Sequence, residues 1–260
     1  MRALMRSTAF ALLIGFGASM GACTHMPSKA EKSEAGKAAA GSAYAAEIGD
    51  AARPQADKDR DADRKPVEML TFAGIKPGEK IGELLPGGGY FSRIFSKAVG
   101  PSGKVYAMAP AGQLTRFKVI ADDKANYPNV QVVPIEGAGI RSPEPLDLVW
   151  TSQNYHDLKN LPAPFDINAY NKSIYDALKP GGLYIVLDHS AKPDAAADVT
   201  NKLHRIQQDL VKKEVTAAGF TFVGEDNALR NPADTREKMV FDPSLRGRTD
   251  QFVMKFRKPG

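Results

Sequence analysis

The stretch 80–95, KIGELLPGGGYFSRIF, constrains this chain more than any other, because an apolar run ends beside an acid, meets three consecutive glycines and opens into an amphipathic segment. Ile81, Leu84 and Leu85 suit a buried strand, and Pro86 to Gly89 cannot continue it. Phe91, Ile94, Phe95 and Ala98 then recur at the i, i+3, i+4, i+7 spacing of a helix face. The expected unit is strand, tight turn, helix. Glycines in such a turn let a ligand approach the backbone without meeting a Cβ, and the free N–H groups that open the helix favour an anionic group. No Gly-Lys-Ser/Thr follows, so the turn is not a Walker loop. Tyr90-Phe91-Ser92 after the glycines also departs from the GxGxxG dinucleotide fingerprint.

Strand-like and helix-like segments alternate through the rest of the chain. Val67, Met69, Leu70 and Phe72 predict a short helix beneath the first strand. Further strands are expected over 104–108, 130–135, 146–151, 182–187, 220–223 and 251–256, with helices over 90–99, 113–123, 167–178 and 203–218. Such alternation implies right-handed crossovers and a doubly wound, mostly parallel sheet. The segment 224–250, rich in Pro, Asp and Arg, is long for a loop in a compact domain, and loops of that length are either functional or poorly ordered.

The acid, two spacer residues and Pro-Gly-x-Gly-Tyr turn from Glu83 to Tyr90 resemble the first motif of class I S-adenosylmethionine (SAM)-dependent methyltransferases. The order of elements over 67–258 is similar to that superfamily's Rossmann-like seven-stranded α/β sheet. WTSQNYHDLKN, VLDHSAKPD, LHRIQQ, AAGF and FDPSLRGRTDQFVMKFRKP also resemble a family of exported bacterial proteins described as predicted methyltransferases. The resemblance implies SAM as cofactor. Glu83, Pro86, Gly87, Gly88, Gly89 and Tyr90 would then form its cradle, with Glu136 toward the adenine edge and Asn154 nearby. Two positions depart from the pattern. Leu85 stands where the superfamily usually has Gly, and Met108-Ala109-Pro110 ends the second strand without the acid that usually holds the ribose hydroxyls.

In open parallel sheets ligands sit beyond the carboxyl ends of the strands. Three of the four histidines fall near such positions: His156 after the fourth strand, His189 after the fifth, and His204 at the next helix. Methyl transfer is an in-line displacement that needs positioning and, for a hydroxyl, amine or carbon acid, removal of a proton. Histidine suits that removal. His156 is the expected base, with Asp157 or Asp188 orienting it, and Tyr155 and Asn154 are candidates to bind the acceptor. Two other readings stay open. His156, His189 and His204 with Asp188 have the chemistry to bind a divalent metal. A methyltransferase fold that has lost catalysis could instead serve as a ligand-binding envelope lipoprotein.

Arg2 and Arg6, the apolar run 9–20, small Gly21 and Ala22 and then Cys23 read as a secretory signal, too short for a membrane span. Met20-Gly21-Ala22-Cys23 resembles a bacterial lipobox, which implies a periplasm-facing lipoprotein held to the membrane through Cys23. Residues 24–63 carry almost no large apolar side chains, so 23–64 is expected to be a disordered tether and 65–260 the folded domain. Removal of residues 1–22 lowers the formal net charge from +5 to +3. Basic residues interleave with acids, which is no nucleic-acid signature, and Arg246, Arg248, Lys255, Arg257 and Lys258 read as a solvated face. A lone cysteine excludes an internal disulfide. Cys23→Ser is expected to move the protein from the membrane to the soluble fraction; unchanged fractionation of that variant would contradict lipidation.

Overall fold

The structure, a computed structural model, describes residues 44–137 and 139–260. Cys23 and the rest of the N-terminal segment through residue 43 lie outside the described residues. Seven strands form one sheet: β1 (Lys80–Leu84), β2 (Lys104–Pro110), β3 (Val130–Ile135), β4 (Leu146–Ser152), β5 (Leu178–His189), β6 (Thr221–Asp226) and β7 (Gln251–Arg257). Their spatial order is β3-β2-β1-β4-β5-β7-β6. β1 pairs in parallel with β2 and β4, and these with β3 and β5, whereas β7 runs antiparallel between β5 and β6. The fold is the mostly parallel seven-stranded α/β sheet that the alternating segments imply.

Parallel neighbours need crossovers, and the helices that supply them cover both faces of the sheet. On one face α4 (Pro66–Ala73) and α5 (Tyr90–Val99) pack Met69, Leu70, Phe91 and Phe95 against Ile81, Trp150 and Ile185. On the other, α8 (Ile167–Ala177) and α10 (Gln208–Ala217) pack Tyr170, Ile174, Val211 and Val215 against Tyr106, Val149, Tyr184 and Phe256. The central strands are therefore apolar on both sides, as burial on two faces requires.

Three local differences from the sequence expectations have physical causes. Lys179 to Gly181, before the strand expected over 182–187, reads as a turn, yet β5 already begins at Leu178; its register against β4 jumps between Leu146 and Leu148, and Gly181 absorbs the irregularity at φ 79°. The helix expected over 203–218 begins later, as α10 at Gln208, and a separate α9 (Val199–Leu203) precedes it, because His204 turns left-handed at φ 53° and Arg205 is drawn inward. The guanidinium of Arg205, fully buried, pairs with Asp234 at 2.8 Å and donates to the carbonyls of Ser190 and Lys238. That ion pair ties the long segment before β7 to the end of β5 and gives it a defined path.

The third difference is the segment 44–64, which composition assigns to the tether. It forms three short helices, α1 (Ala45–Ile48), α2 (Gln55–Lys58) and α3 (Asp61–Arg64), docked on α5. Tyr44, Ile48 and Ala52 pack against the core, and a set of polar contacts fixes the rest. Arg53, its side chain buried, pairs with Asp61 at 2.6 Å; Asp61 also accepts from the Tyr90 hydroxyl at 2.5 Å; Arg93 pairs with Asp57 at 2.6 Å and Lys97 with Asp50 at 3.1 Å. Periodicity of apolar residues cannot report such contacts: Arg53–Asp61 is local but polar, and the others reach Tyr90, Arg93 and Lys97 on α5, about 30 to 50 residues further along the chain. Leaving the Arg53 guanidinium buried and unpaired is costly. Asp61→Ala is thus expected to lower unfolding stability by about 2 kcal/mol in a urea titration, with the limit-proteolysis boundary moving from before Ala45 in the parent to near Lys65.

Candidate functional site

The strands β1 to β5 all end at one edge, and the chemistry-bearing residues collect there. After β1 the chain turns through Leu85 to Gly89. Leu85 adopts φ 48°, Gly87 60° and Gly89 77°. The turn thus uses the left-handed conformation even where Leu stands in place of the superfamily's Gly, at the steric cost a β-carbon carries there. The three glycines do different things. A Cβ at Gly89 would lie 1.6 Å from Cδ1 of Ile120, so that glycine permits packing, whereas a Cβ at Gly87 or Gly88 would meet no heavy atom within 4 Å. Backbone at Gly87 and Gly88 is exposed and open to a ligand, while of this turn Leu85 is the residue that lines the adjoining cavity.

Glu83 does not line the open space. It is buried beneath the turn, accepts from Ser92 Oγ at 2.5 Å, and burial pushes its carboxyl up to about 8. Tyr90 is likewise buried, donating to Asp61 with Arg64 stacked on its ring. Both residues hold the turn against α5 from behind. A cavity of about 530 Å³ opens in front, lined by Leu85, Pro110, Gln113, Ile135, Gly137 and Asn154 among others. It spans the ends of β1 to β4. Met108, at 0% exposure, is part of the core. Glu136 is exposed between two lining residues. Gln113, in the short turn of 3₁₀ helix after β2, reaches the cavity at the level where the superfamily's ribose acid is missing. Its amide offers both donor and acceptor to a hydroxyl pair. The amide stands three residues beyond Pro110, the last residue of β2, so the strand's own sequence does not signal it.

Asn154 closes the cavity floor. Its Nδ2 donates to the carbonyls of Ser152, Leu84 and Leu85 at 3.0–3.3 Å, so it clamps the turn after β4 to the end of β1. Tyr155 points the other way: its hydroxyl donates to Glu214 at 3.0 Å and accepts from Asn171 at 2.8 Å, deep in the second core, and burial drives its ionisation far upward. Tyr155 anchors α7 (Tyr155–Leu158) and does not face the cavity.

His156 follows on α7, buried, with its ring between carboxylates. Asp188, at 0% exposure at the end of β5, accepts from the His156 backbone N–H and lies 2.8 Å from its Nδ1. Asp188 Oδ1 also accepts from the backbone N–H of His189. Burial alone would depress His156; the Asp188 charge and hydrogen bond outweigh it, and the imidazole titrates above its ordinary value while Asp188 is held below the usual carboxylate range. With Nδ1 directed to Asp188, Nε2 is the free basic atom, 3.4 Å from Asp157. The other two histidines converge on it, with ring centres 6.0 Å away for His189 and 5.4 Å for His204. His189 is a different kind of group: it contacts Thr249 Oγ1 at 2.7 Å through Nδ1, and burial pushes it down to about 4.

The residues that could hold a metal are not the set the histidine positions imply. His156, Asp157 and His204 bring ligand atoms within 4.8 Å of one another, whereas His189 stands outside that group and both Asp188 oxygens are engaged by His156 and His189.

No family profile matches the chain. A protein-L-isoaspartate O-methyltransferase of Methanothrix thermoacetophila is 24% identical over 141 residues, which cover 54% of this chain and 61% of that relative. Among solved structures, a SAM-dependent methyltransferase from Aquifex aeolicus superposes with a TM-score of 0.53 at 18% identity, covering 74% of this chain and 88% of that one. The glycopeptide N-methyltransferase MtfA complexed with sinefungin gives 0.53 at 15% identity (76% and 87%), and the [4+2]-cyclase SpnF 0.56 at 15% (76% and 80%). The fold is that of the class I SAM-dependent methyltransferases. SpnF shows that this fold also carries other chemistry, so function has to be argued from the site.

Asp188→Asn removes the charge that outweighs burial. The His156 ring is then expected to titrate below about 6.5 instead of above it, which a ¹H–¹³C NMR titration of the ring Cε1–H reads directly.

Proposed function

We propose that this protein is a SAM-dependent methyltransferase acting on a small-molecule acceptor. The observation that carries the reading is the open glycine turn at the carboxyl edge of the sheet, where a Cβ at Gly87 or Gly88 meets nothing and a cavity of about 530 Å³ begins at Leu85. Cofactor pockets fall in this size range, and the turn lies where doubly wound sheets take their ligands. SAM, when bound, supplies an activated methyl group. Gly87 and Gly88 would hold its amino-acid end by backbone contact, and Gln113 its ribose, in place of the usual acid.

The chain's own residues account for the proton. His156 Nε2 accepts it from the acceptor's nucleophilic atom as that atom gains the methyl group. Asp188 fixes the ring through Nδ1 and the backbone N–H and stabilises the imidazolium that forms. His189, poorly basic at neutral pH, is suited to shaping the site rather than to proton transfer. The signal-like segment before Cys23 supports an envelope location, and the likeness to exported predicted methyltransferases agrees with it.

Two substitutions separate binding from chemistry. Gly88→Val puts a branched side chain into open space, so the fold should persist while SAM affinity, measured by calorimetric titration, is lost. His156→Ala should leave SAM affinity within about twofold and lower the rate of methyl transfer by about 10² or more. Wild-type protein that binds no SAM at millimolar concentration but retains one equivalent of zinc, lost on His156→Ala or His204→Ala, would replace this reading with the metal one.

A further inference from the structure

On the far side of the turn after β4 lies a second cavity, of about 500 Å³, that the reading above does not use. Three arginines converge on it, Arg60 and Arg64 from the docked N-terminal helices and Arg246 from the long segment before β7. Among the described residues none of the three pairs with a carboxylate. Asp63, the one acid in the lining, turns toward Gly247, where a Cβ would lie 2.9 Å from its Oδ2. Like charges one helical turn apart, as Arg60 and Arg64 are, repel one another.

Arg64 makes this more than a solvated basic face. Its guanidinium lies over Tyr90 and Phe91, at 4.5 and 4.8 Å from the ring centres, and its described side-chain hydrogen bond is the one Nη2 donates to Ser152 Oγ at 3.1 Å. A guanidinium carries five N–H donors in a rigid fork suited to a carboxylate or phosphate. Burial and the neighbouring Arg60 push Arg64 down to about 10, the direction expected of a cation whose counter-charge is missing. Leu187, Leu229, Val240 and Phe241 give the cavity an apolar side, and Gln153, His189 and Gln251 add neutral polar groups to the wall.

The cavity also meets the catalytic edge. His189 lines it, with its ring 6.0 Å from that of His156, and Phe241 lines it while packing 5.0 Å from the ring of His204.

We propose that this arginine cavity binds the acid group of the methyl acceptor, a carboxylate or phosphate on an apolar body. The anion would engage Arg64 and Arg246, the apolar body the Leu187 and Phe241 wall, and the nucleophilic atom would project past His189 toward His156. The acceptor role rests on the methyltransferase reading; the anion site does not.

The test uses calorimetric titration of the purified protein at constant ionic strength with inorganic phosphate and, separately, with octanoate, beside SAM. At least one anion is expected to bind, and the one that does tells phosphate from carboxylate. Arg64→Gln and Arg246→Gln should each weaken that binding by about tenfold or more, with SAM affinity unchanged within about twofold and Lys213→Gln on the far helix without effect. Arg246 is exposed, so its replacement reports on binding even where Arg64→Gln disturbs folding. Absence of binding by both anions, or binding indifferent to both arginine substitutions, overturns the site. Intact anion binding with no SAM binding overturns the acceptor role alone.

Discussion

A carboxylate shut away from water has to find every one of its partners within the protein, and Asp188 is the residue on which the carboxyl edge of the sheet depends for that reason. Its two oxygens take the His156 backbone N–H, the His156 ring and the His189 backbone N–H. Those bonds join the end of β5 to the turn after β4, so the position of α7, the direction of the His156 ring and the basicity of its Nε2 follow from one buried charge. The desolvation of that charge is offset only while all the donors are present.

Asn154 repeats the device on the other side of the same turn, joining β4 to the end of β1 through three carbonyls. Between them, residues 153–156 divide the carboxyl edge into two cavities. Asn154 faces the one that begins at the glycine turn, and Gln153 the one lined by arginines. The histidine cluster lies between the two, with Asp157 lining the first cavity and His189 the second.

Much of this was legible in the chain. Strand, glycine turn and helix over 80–95, the parallel order of the sheet and the placement of His156, His189 and Asp188 at strand ends all follow from periods of 2 and 3.6 and from where glycines interrupt them. Other features were not. Tyr155 sits beside His156 in sequence, but one helical position turns it into the opposite core. Glu83 and Tyr90 belong to the motif, yet they brace the turn from behind it. The segment 44–64 has few large apolar residues and is held largely by ion pairs, two of which, Asp57–Arg93 and Asp50–Lys97, reach α5. The cationic cavity joins Arg60 and Arg64 to Arg246, across more than 180 residues.

The sequence by itself determined the class of fold and the edge at which the glycine turn and the histidines gather, because hydrophobic periodicity and backbone-restricted residues act locally and can be read locally. Only the tertiary structure decided which acid serves the histidine and which glycines are open to a ligand. It also decided that three arginines from distant segments share one cavity. Those outcomes depend on burial and on distances between segments remote in the chain, and electrostatic and hydrogen-bond energies are settled by such distances rather than by spacing along the backbone.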